Sequence, residues 1–156
     1  MSKSLARVRA ALDAAGVSVE IRAMDDSTRT AQDAAQAAGC VVDQIAKSII
    51  FRGEHTGHAV LFLTAGGNRV DPAKATSVAG QPLGKADAAL IRAETGFAIG
   101  GVAPVGHLRP IPAFFDPRLL AFDRVWAAAG TPRHIFAIAP QTLLTLTGAQ
   151  VADFTG

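Results

Sequence analysis

The chain has 156 residues, 49% of them hydrophobic and 18% charged, which is the composition of a globular domain with a sizeable core. The net charge of +2 is mildly favourable for a phosphate-bearing partner but is far from the basic stripe of a typical nucleic-acid-binding surface. No apolar run reaches the roughly 18 residues of a membrane span, and a single cysteine, Cys40, excludes an internal disulfide framework. We therefore expect one cytoplasmic domain, residues 1–156, that contacts neither membrane nor DNA.

The first elements are a helix and a strand. Apolar residues at helical spacing predict an amphipathic helix over Ser4–Ala15, with Gly16 as its C-terminal stop. Arg7 and Arg9 are expected on the solvent side of this helix. Alternating apolar residues then predict a strand over Val17–Ile21 with one buried face.

A second helix and a hairpin follow. Thr30 is placed to cap an alanine-rich helix that ends at Gly39, and Asp43 is placed to cap a brief turn. Lys47–Phe51 has the pattern of a strand, and Ala59–Thr64 has that of its antiparallel partner.

The second half contains further helices and short strands. The predicted helices are Asp71–Gly80, which has Pro72 at its first position, Asp87–Glu94 and Pro140–Leu146, and the predicted strands are one ending at Phe115, then Val125–Ala129 and His134–Ile138. Hairpins mixed with single helices indicate an α/β fold of one domain. We expect a curled, mixed and partly barrel-like sheet with helices around it.

The segment from Gly96 to His107 combines glycine and proline in a way that suits a binding loop. Phe97–Ile99 alternates like a strand, and Gly100 and Gly101 can then adopt positive φ and let another group approach their backbone. Pro104 stiffens the turn and removes one N–H. Such exposed backbone groups suit a carbonyl or oxyanion ligand, although a β-bulge or a tight corner would need the same residues.

Two side chains are candidates for ligand contact. Lys47 opens an apolar strand, where a lysine can hold a phosphate or carboxylate or polarise a carbonyl; the alternative is that it simply extends to water. His107 could donate to a ligand or act as a base near neutral pH, or it could satisfy the backbone of its own turn.

The sequence gives little support for metal or thiol chemistry. His55 and His58 have a His-x-x-His spacing, but zinc would need further ligands from elsewhere in the chain. Cys40 has no histidine nearby in sequence and fits a small buried hydrophobe. We expect no metal and no organic cofactor.

Two motifs at a characteristic separation resemble those of the YbaK family, which is related to the editing domain inserted in bacterial prolyl-tRNA synthetases. The first motif is Gln44–Phe51, and the second is Thr95–Phe97 followed by Gly100–Gly106. The similarity extends over essentially the whole chain, from Ser4 to Asp153.

The resemblance implies the fold of the YbaK and prolyl-tRNA synthetase-associated domains and a free-standing trans-editing deacylase. Its substrate would be a misacylated tRNA, normally tRNA for proline, and prolyl-tRNA synthetase would be a potential partner. Two alternatives of the same fold stay open: a non-catalytic module that binds tRNA or a synthetase, and a sensor of a small amino acid.

The resemblance also assigns roles by position. It places Lys47 at the pocket mouth, in contact with the terminal adenosine or its phosphate, and it places the backbone of Gly100 and Gly101 at the scissile carbonyl. The substrate-binding positions that it implies are Met24, Thr30, Ser48, Pro104 and His107.

One departure from the family pattern concerns specificity. Ala103 stands where cysteine-editing members commonly have serine, and Met24 and Thr30 replace the aromatic residues associated with cysteine editing. The edited amino acid therefore stays open among cysteine, alanine, serine, threonine and small non-protein amino acids.

Overall fold

The computed structural model describes residues 2–24 and 30–156. Its helices are α1 (Lys3–Ala14), α2 (Ala31–Ala38), α3 (Pro72–Ala79), α4 (Ala88–Thr95) and α5 (Pro140–Thr147). Its strands are β1 (Ile21–Ala23), β2 (Ala46–Gly53), β3 (Ala59–Ala65), β4 (Leu83–Lys85), β5 (Ala113–Phe115), β6 (Val125–Ala128), β7 (His134–Ile138) and β8 (Gln150–Val151). Within these described ranges, no helix has the length and apolar character needed to cross a bilayer.

The helix boundaries follow from capping residues that the sequence makes visible. Thr30 accepts a hydrogen bond from the Asp33 amide with its side-chain oxygen, and Asp87 does the same for the Leu90 amide, so these donors are satisfied at the helix starts. Gly39 and Gly96 end α2 and α4 in the left-handed conformation that glycine adopts without strain. These predicted starts and stops are confirmed.

Two sheets build the fold, and an isolated β-bridge lies between them. The larger sheet has the order β4-β2-β3-β5-β8, with antiparallel pairs on β2 and parallel pairs on β5, and the smaller sheet has the order β1-β7-β6. A parallel bridge between Ile45, just before β2, and Trp126 of β6 connects the sheets. The result is the expected mixed α/β fold, built, over the described residues, on two sheets with five helices.

The core lies on both faces of β3, whose seven residues are all buried. On one face, Val8 and Leu12 of α1 pack with Phe115 and Phe136. On the other face, Phe62 packs with aromatic neighbours beneath α3, and its ring centroid lies 4.9 Å from that of Phe154. Because β3 is covered on both faces, its sequence is a continuous apolar run rather than an alternating one.

Two predictions about local structure are wrong, and two short strands were not predicted. Phe97–Ile99 is not a strand, because Gly96 turns the chain out of α4 and the segment continues as a turn with Phe97 buried and Ile99 exposed. The first strand forms at Ile21–Ala23 rather than over Val17–Ile21, because β7 pairs only with those three residues. The short strands β4 and β8 were not predicted. Each becomes a strand only by pairing with a neighbour, β2 or β5, that is distant in sequence.

Candidate functional site

A cavity of about 260 Å³ lies in the gap between the two sheets. It is bounded by β2 on one side, by β6 and β7 on the other, by α2 and by the turn at Gly100. Strand β4 pairs with β2 only at Phe51–Gly53, so within the described chain the stretch Ala46–Ile50 has no strand beside it on that edge. This free backbone edge faces the cavity and offers peptide groups to a ligand.

The opposite wall is one face of the small sheet. Trp126 and Ala128 of β6 alternate onto this face, and Ile135 of β7 lies opposite Ala128 in the register. These side chains line the cavity, and Ala34 of α2 packs against the same apolar cluster. The wall is therefore apolar and is built from small residues around one tryptophan.

Lys47 lies at the polar side of this cavity. Its Nζ donates a 2.7 Å hydrogen bond to the carbonyl oxygen of Asn68, in the turn after β3. Burial, followed by the charge of Arg69, lowers the pKa of the Lys47 ammonium group, while the carboxylates of Asp116 and Asp43 act in the raising direction. The cation is thus partly desolvated and held in place, which strengthens its interaction with an anionic or carbonyl ligand.

The two glycines of the loop have different surroundings. Gly100 has φ +96° and lines the cavity, and a β-carbon at this position would meet the Pro132 Cγ in ordinary contact at 3.9 Å. Gly101 donates its N–H to the carbonyl oxygen of Ala98, and a β-carbon at this position would meet the backbone of Thr131. In the described chain, the amides of Gly100 and Val102 have no hydrogen-bond acceptor, so this turn has backbone donors available to a ligand.

Three of the other predicted positions lie in or near the cavity. Thr30 and Ser48 line it, although the Thr30 hydroxyl oxygen also caps α2. Met24 packs against the apolar cluster that contains Trp126 and Ile135, two residues of the cavity wall. Among the described lining residues, no carboxylate or imidazole is present.

Pro104 and His107 lie elsewhere, in a separate groove of about 570 Å³ beside α1. Nε2 of His107 donates a 2.7 Å hydrogen bond to the Ala103 carbonyl oxygen. Burial, which outweighs this bond, lowers the pKa of His107, and the charge of Arg7 acts in the same direction. The structure thus separates His107 from Lys47 and gives the histidine a role within its own turn.

Arg7 was expected to be exposed, and that prediction is wrong. Its guanidinium carbon lies 4.7 Å from the Phe97 ring centroid, and Nε donates to the Gly106 carbonyl oxygen at 3.0 Å. Arg7 therefore holds the glycine loop in place, because its side chain contacts the loop at both ends, at Phe97 and at Gly106. Helical spacing alone could not show this, since the loop is about a hundred residues away in sequence.

The comparison with protein-family models decides the family. Residues 25–146 match the model described as "Aminoacyl-tRNA editing domain". The chain belongs to this family. The lysine strand, the cavity and the glycine loop all lie within the matched segment.

Similar proteins are consistent with an editing domain. A solved structure of a candidate trans-editing enzyme for prolyl tRNA synthetase is 51% identical, with a TM-score of 0.93 over 100% of this chain and 99% of that one. The uncharacterized protein YwhH of Bacillus subtilis (strain 168) is 27% identical over 85% of this chain and 83% of its own length. The candidate Cys-tRNA(Pro)/Cys-tRNA(Cys) deacylase EbsC of Enterococcus faecalis is 25% identical over 81% of this chain and 77% of its own length.

Proposed function

We propose that this editing domain is a trans-editing deacylase that hydrolyses the ester between tRNA for proline and a small non-cognate amino acid. The observation that carries the proposal is the cavity between the sheets, which combines an anchored lysine, free backbone amides and a small apolar wall. The similarity to a candidate prolyl trans-editing structure supports the choice of tRNA. We further propose that residues 1–156 act as one domain in the cytoplasm, where charged tRNA is found, and that prolyl-tRNA synthetase is a partner.

Lys47 would bind the 3′ end of the tRNA. Its ammonium group is partly desolvated and has spare donors beyond the one that it uses for Asn68. A phosphate oxygen or a hydroxyl of the terminal adenosine would accept from these donors. The free edge of β2, with Ser48, would continue the polar surface along the same side of the cavity.

The glycine turn would act on the scissile carbonyl. Addition of water to the ester carbon places negative charge on the carbonyl oxygen, and the amides of Gly100 and Val102 would donate to that oxygen. Collapse of the adduct breaks the acyl C–O bond and leaves the free amino acid and the 3′-terminal hydroxyl of the tRNA. Gly101 and Pro104 would act by fixing the turn.

The apolar wall would select the amino acid. A cavity of about 260 Å³ that also admits the ester leaves space for a short side chain, with Thr30 among the lining residues and Met24 packed against the apolar cluster of the wall. Editing then works as a second sieve that hydrolyses what is small enough to enter. Cysteine, alanine, serine, threonine and small non-protein amino acids all meet this size limit.

A deacylation panel tests this proposal. Purified protein is mixed with tRNA for proline that carries cysteine, alanine, serine, threonine or proline, and loss of each ester is followed with time. We expect rapid loss of at least one non-cognate ester, slow loss of the prolyl ester, and little turnover by Lys47→Ala.

The matched control is Lys74→Ala, because Lys74 lies on α3 and bonds to Asp153 and the Thr155 carbonyl, outside the cavity. This variant should retain the wild-type rates. If all esters in the panel stay intact while the protein still binds tRNA, the proposed function is wrong and the protein is a binding module. Tight binding of a free amino acid without tRNA would indicate a sensor.

A further inference from the structure

The partner of Lys47 belongs to a turn that is organised by one buried carboxylate. Asp116, which is 2% exposed, accepts hydrogen bonds through Oδ2 from the Ala65 amide at 3.1 Å and from Nδ2 of Asn68 at 2.9 Å. Its other oxygen, Oδ1, accepts from the Arg118 amide at 2.9 Å. The carboxylate therefore ties the turn after β3 to the segment that follows β5.

The acceptor for Lys47 is the main-chain oxygen of Asn68, the residue whose side chain Asp116 holds. The Asn68 amide also bonds to the Ala65 carbonyl oxygen at 2.9 Å, which closes the turn. Asp116 contacts both ends of this turn and so fixes the direction of the carbonyl that receives Nζ. None of the described cavity-lining residues belongs to this network except Lys47 itself.

We propose that Asp116 is a positioning residue of the editing site, which sets the place and the charge state of Lys47 through the Asn68 turn. This inference rests on the proposed function only where it concerns the rate of deacylation. The link between Asp116 and Lys47 is a property of the free protein and can be measured without tRNA.

Several charged groups surround the Lys47 ammonium group. Arg69 opposes its charge, while the carboxylates of Asp116 and Asp43 favour it. Asp43 also accepts from the Gly67 amide and pairs with Arg118 at 3.0 Å, so it supports the same turn from outside. Of these acids, Asp116 is the one that bonds to Asn68, and loss of its charge should therefore both lower the pKa of Lys47 and loosen the turn.

The test measures the Nζ signal of Lys47 in isotope-labelled protein by NMR over a range of pH. The chain has four lysines, Lys3, Lys47, Lys74 and Lys85, so the Lys47→Arg variant identifies the signal by its loss. We expect Asp116→Asn and Asn68→Ala to lower the pKa of Lys47 and to change its Nζ shift. Asn68→Ala keeps the acceptor carbonyl and removes only its tie to Asp116, and it also serves if Asp116→Asn does not fold.

Glu94→Gln is the matched control, because Glu94 is another buried carboxylate that binds a main-chain amide, that of Ala59, away from the cavity. Thermal unfolding should show that this variant is also destabilised, while the Lys47 signal stays unchanged. A merely structural role for Asp116 would leave the Lys47 signal unmoved in folded Asp116→Asn and Asn68→Ala. That result would overturn the proposal.

Kinetics then test the consequence for the proposed function. Misplacement of a binding group can reduce a rate by up to roughly a hundredfold, and we expect a loss of this order in kcat/KM for Asp116→Asn. In the double variant with Lys47→Ala, the loss should be no larger than for Lys47→Ala alone, because Asp116 acts through Lys47. Additive losses would contradict the proposal. If the wild-type protein shows no deacylase activity but the Lys47 signal still moves in Asp116→Asn and Asn68→Ala, only the proposed function is rejected.

Discussion

Gly101 lies against the main chain of Thr131, so closely that a β-carbon at position 101 would come within 2.7 Å of the Thr131 Cα. This contact holds the glycine turn beside the β6–β7 connection, with Gly100 in the cavity wall. Because the neighbour is backbone, it cannot move aside as a flexible side chain would.

Gly101→Ala should therefore reduce deacylation strongly, since the turn must shift to relieve the contact with Thr131. Overpacking of this kind costs about 1–3 kcal/mol of stability, so the protein should still fold. Circular dichroism and thermal unfolding check the fold, and the deacylation panel measures activity. Wild-type turnover in folded Gly101→Ala would show that the position of this turn is not needed.

Lys47→Ala should lower kcat/KM by roughly 10- to 100-fold, the value of a lost hydrogen bond to a charged group. Stability should change little, because Lys47 is half-buried and its burial is unfavourable to the charge. Lys47→Arg is a second variant to measure, since it keeps the positive charge but changes the geometry of the hydrogen bond to the Asn68 carbonyl oxygen. Full activity in Lys47→Arg would indicate that charge alone matters.

The pH dependence of deacylation should report the Lys47 cation. Burial and Arg69 lower the pKa of this group, so activity should fall, as pH rises, at a lower pH than for an ordinary lysine. Arg69→Gln removes an opposing charge and should move this decline to higher pH. Spontaneous ester hydrolysis at each pH must be subtracted, and an unmoved profile would exclude Lys47 as the titrating group.

Ala128→Val should narrow the cavity from the β6 side. Ala128 lines the cavity, and valine is well tolerated in a strand, so the fold should be retained. We expect a larger loss of activity on threonyl than on alanyl tRNA, because the longer side chain needs the space. Ala113→Val is the control, since Ala113 lies on β5 of the larger sheet and lines a separate groove.

Glu94 should contribute to stability in a pH-dependent way. Burial raises the pKa of its carboxyl, but hydrogen bonds from His58 and the Ala59 amide and the charges of His58 and Arg109 outweigh burial and lower it. A lowered pKa means that the stabilisation is present above the unfolded-state pKa and is lost as pH falls through the folded-state pKa.

Glu94→Gln should accordingly destabilise the protein by about 1–3 kcal/mol at neutral pH, the cost of impairing a buried hydrogen-bonded group. The difference from wild type should shrink in acid. Urea unfolding at several pH values measures this, and a pH-independent difference would mean that the ion pairs with His58 and Arg109 contribute nothing.

Much of the fold could be predicted because its signals are local. Thr30, Asp71 and Asp87 begin helices, and Gly39, Gly80 and Gly96 end them, as side-chain caps and left-handed glycines do in any context. The strands around the cavity were visible as apolar runs. Of the residues that the sequence singled out, Lys47 and Gly100 line the cavity and Gly101 lies against Thr131, although their catalytic roles stay predictions.

What the sequence determined by itself was the set of elements and the family motifs, because capping, periodicity and motif spacing depend on near neighbours in the chain. The tertiary structure alone decided that Gly101 rests on Thr131, that Arg7 supports the glycine loop, and that His107 lies away from Lys47. It also decided that Asp116 holds the turn that receives Lys47. The contacts among these join residues that are 21 to 99 positions apart, and only the packing of the two sheets and their helices brings such residues together.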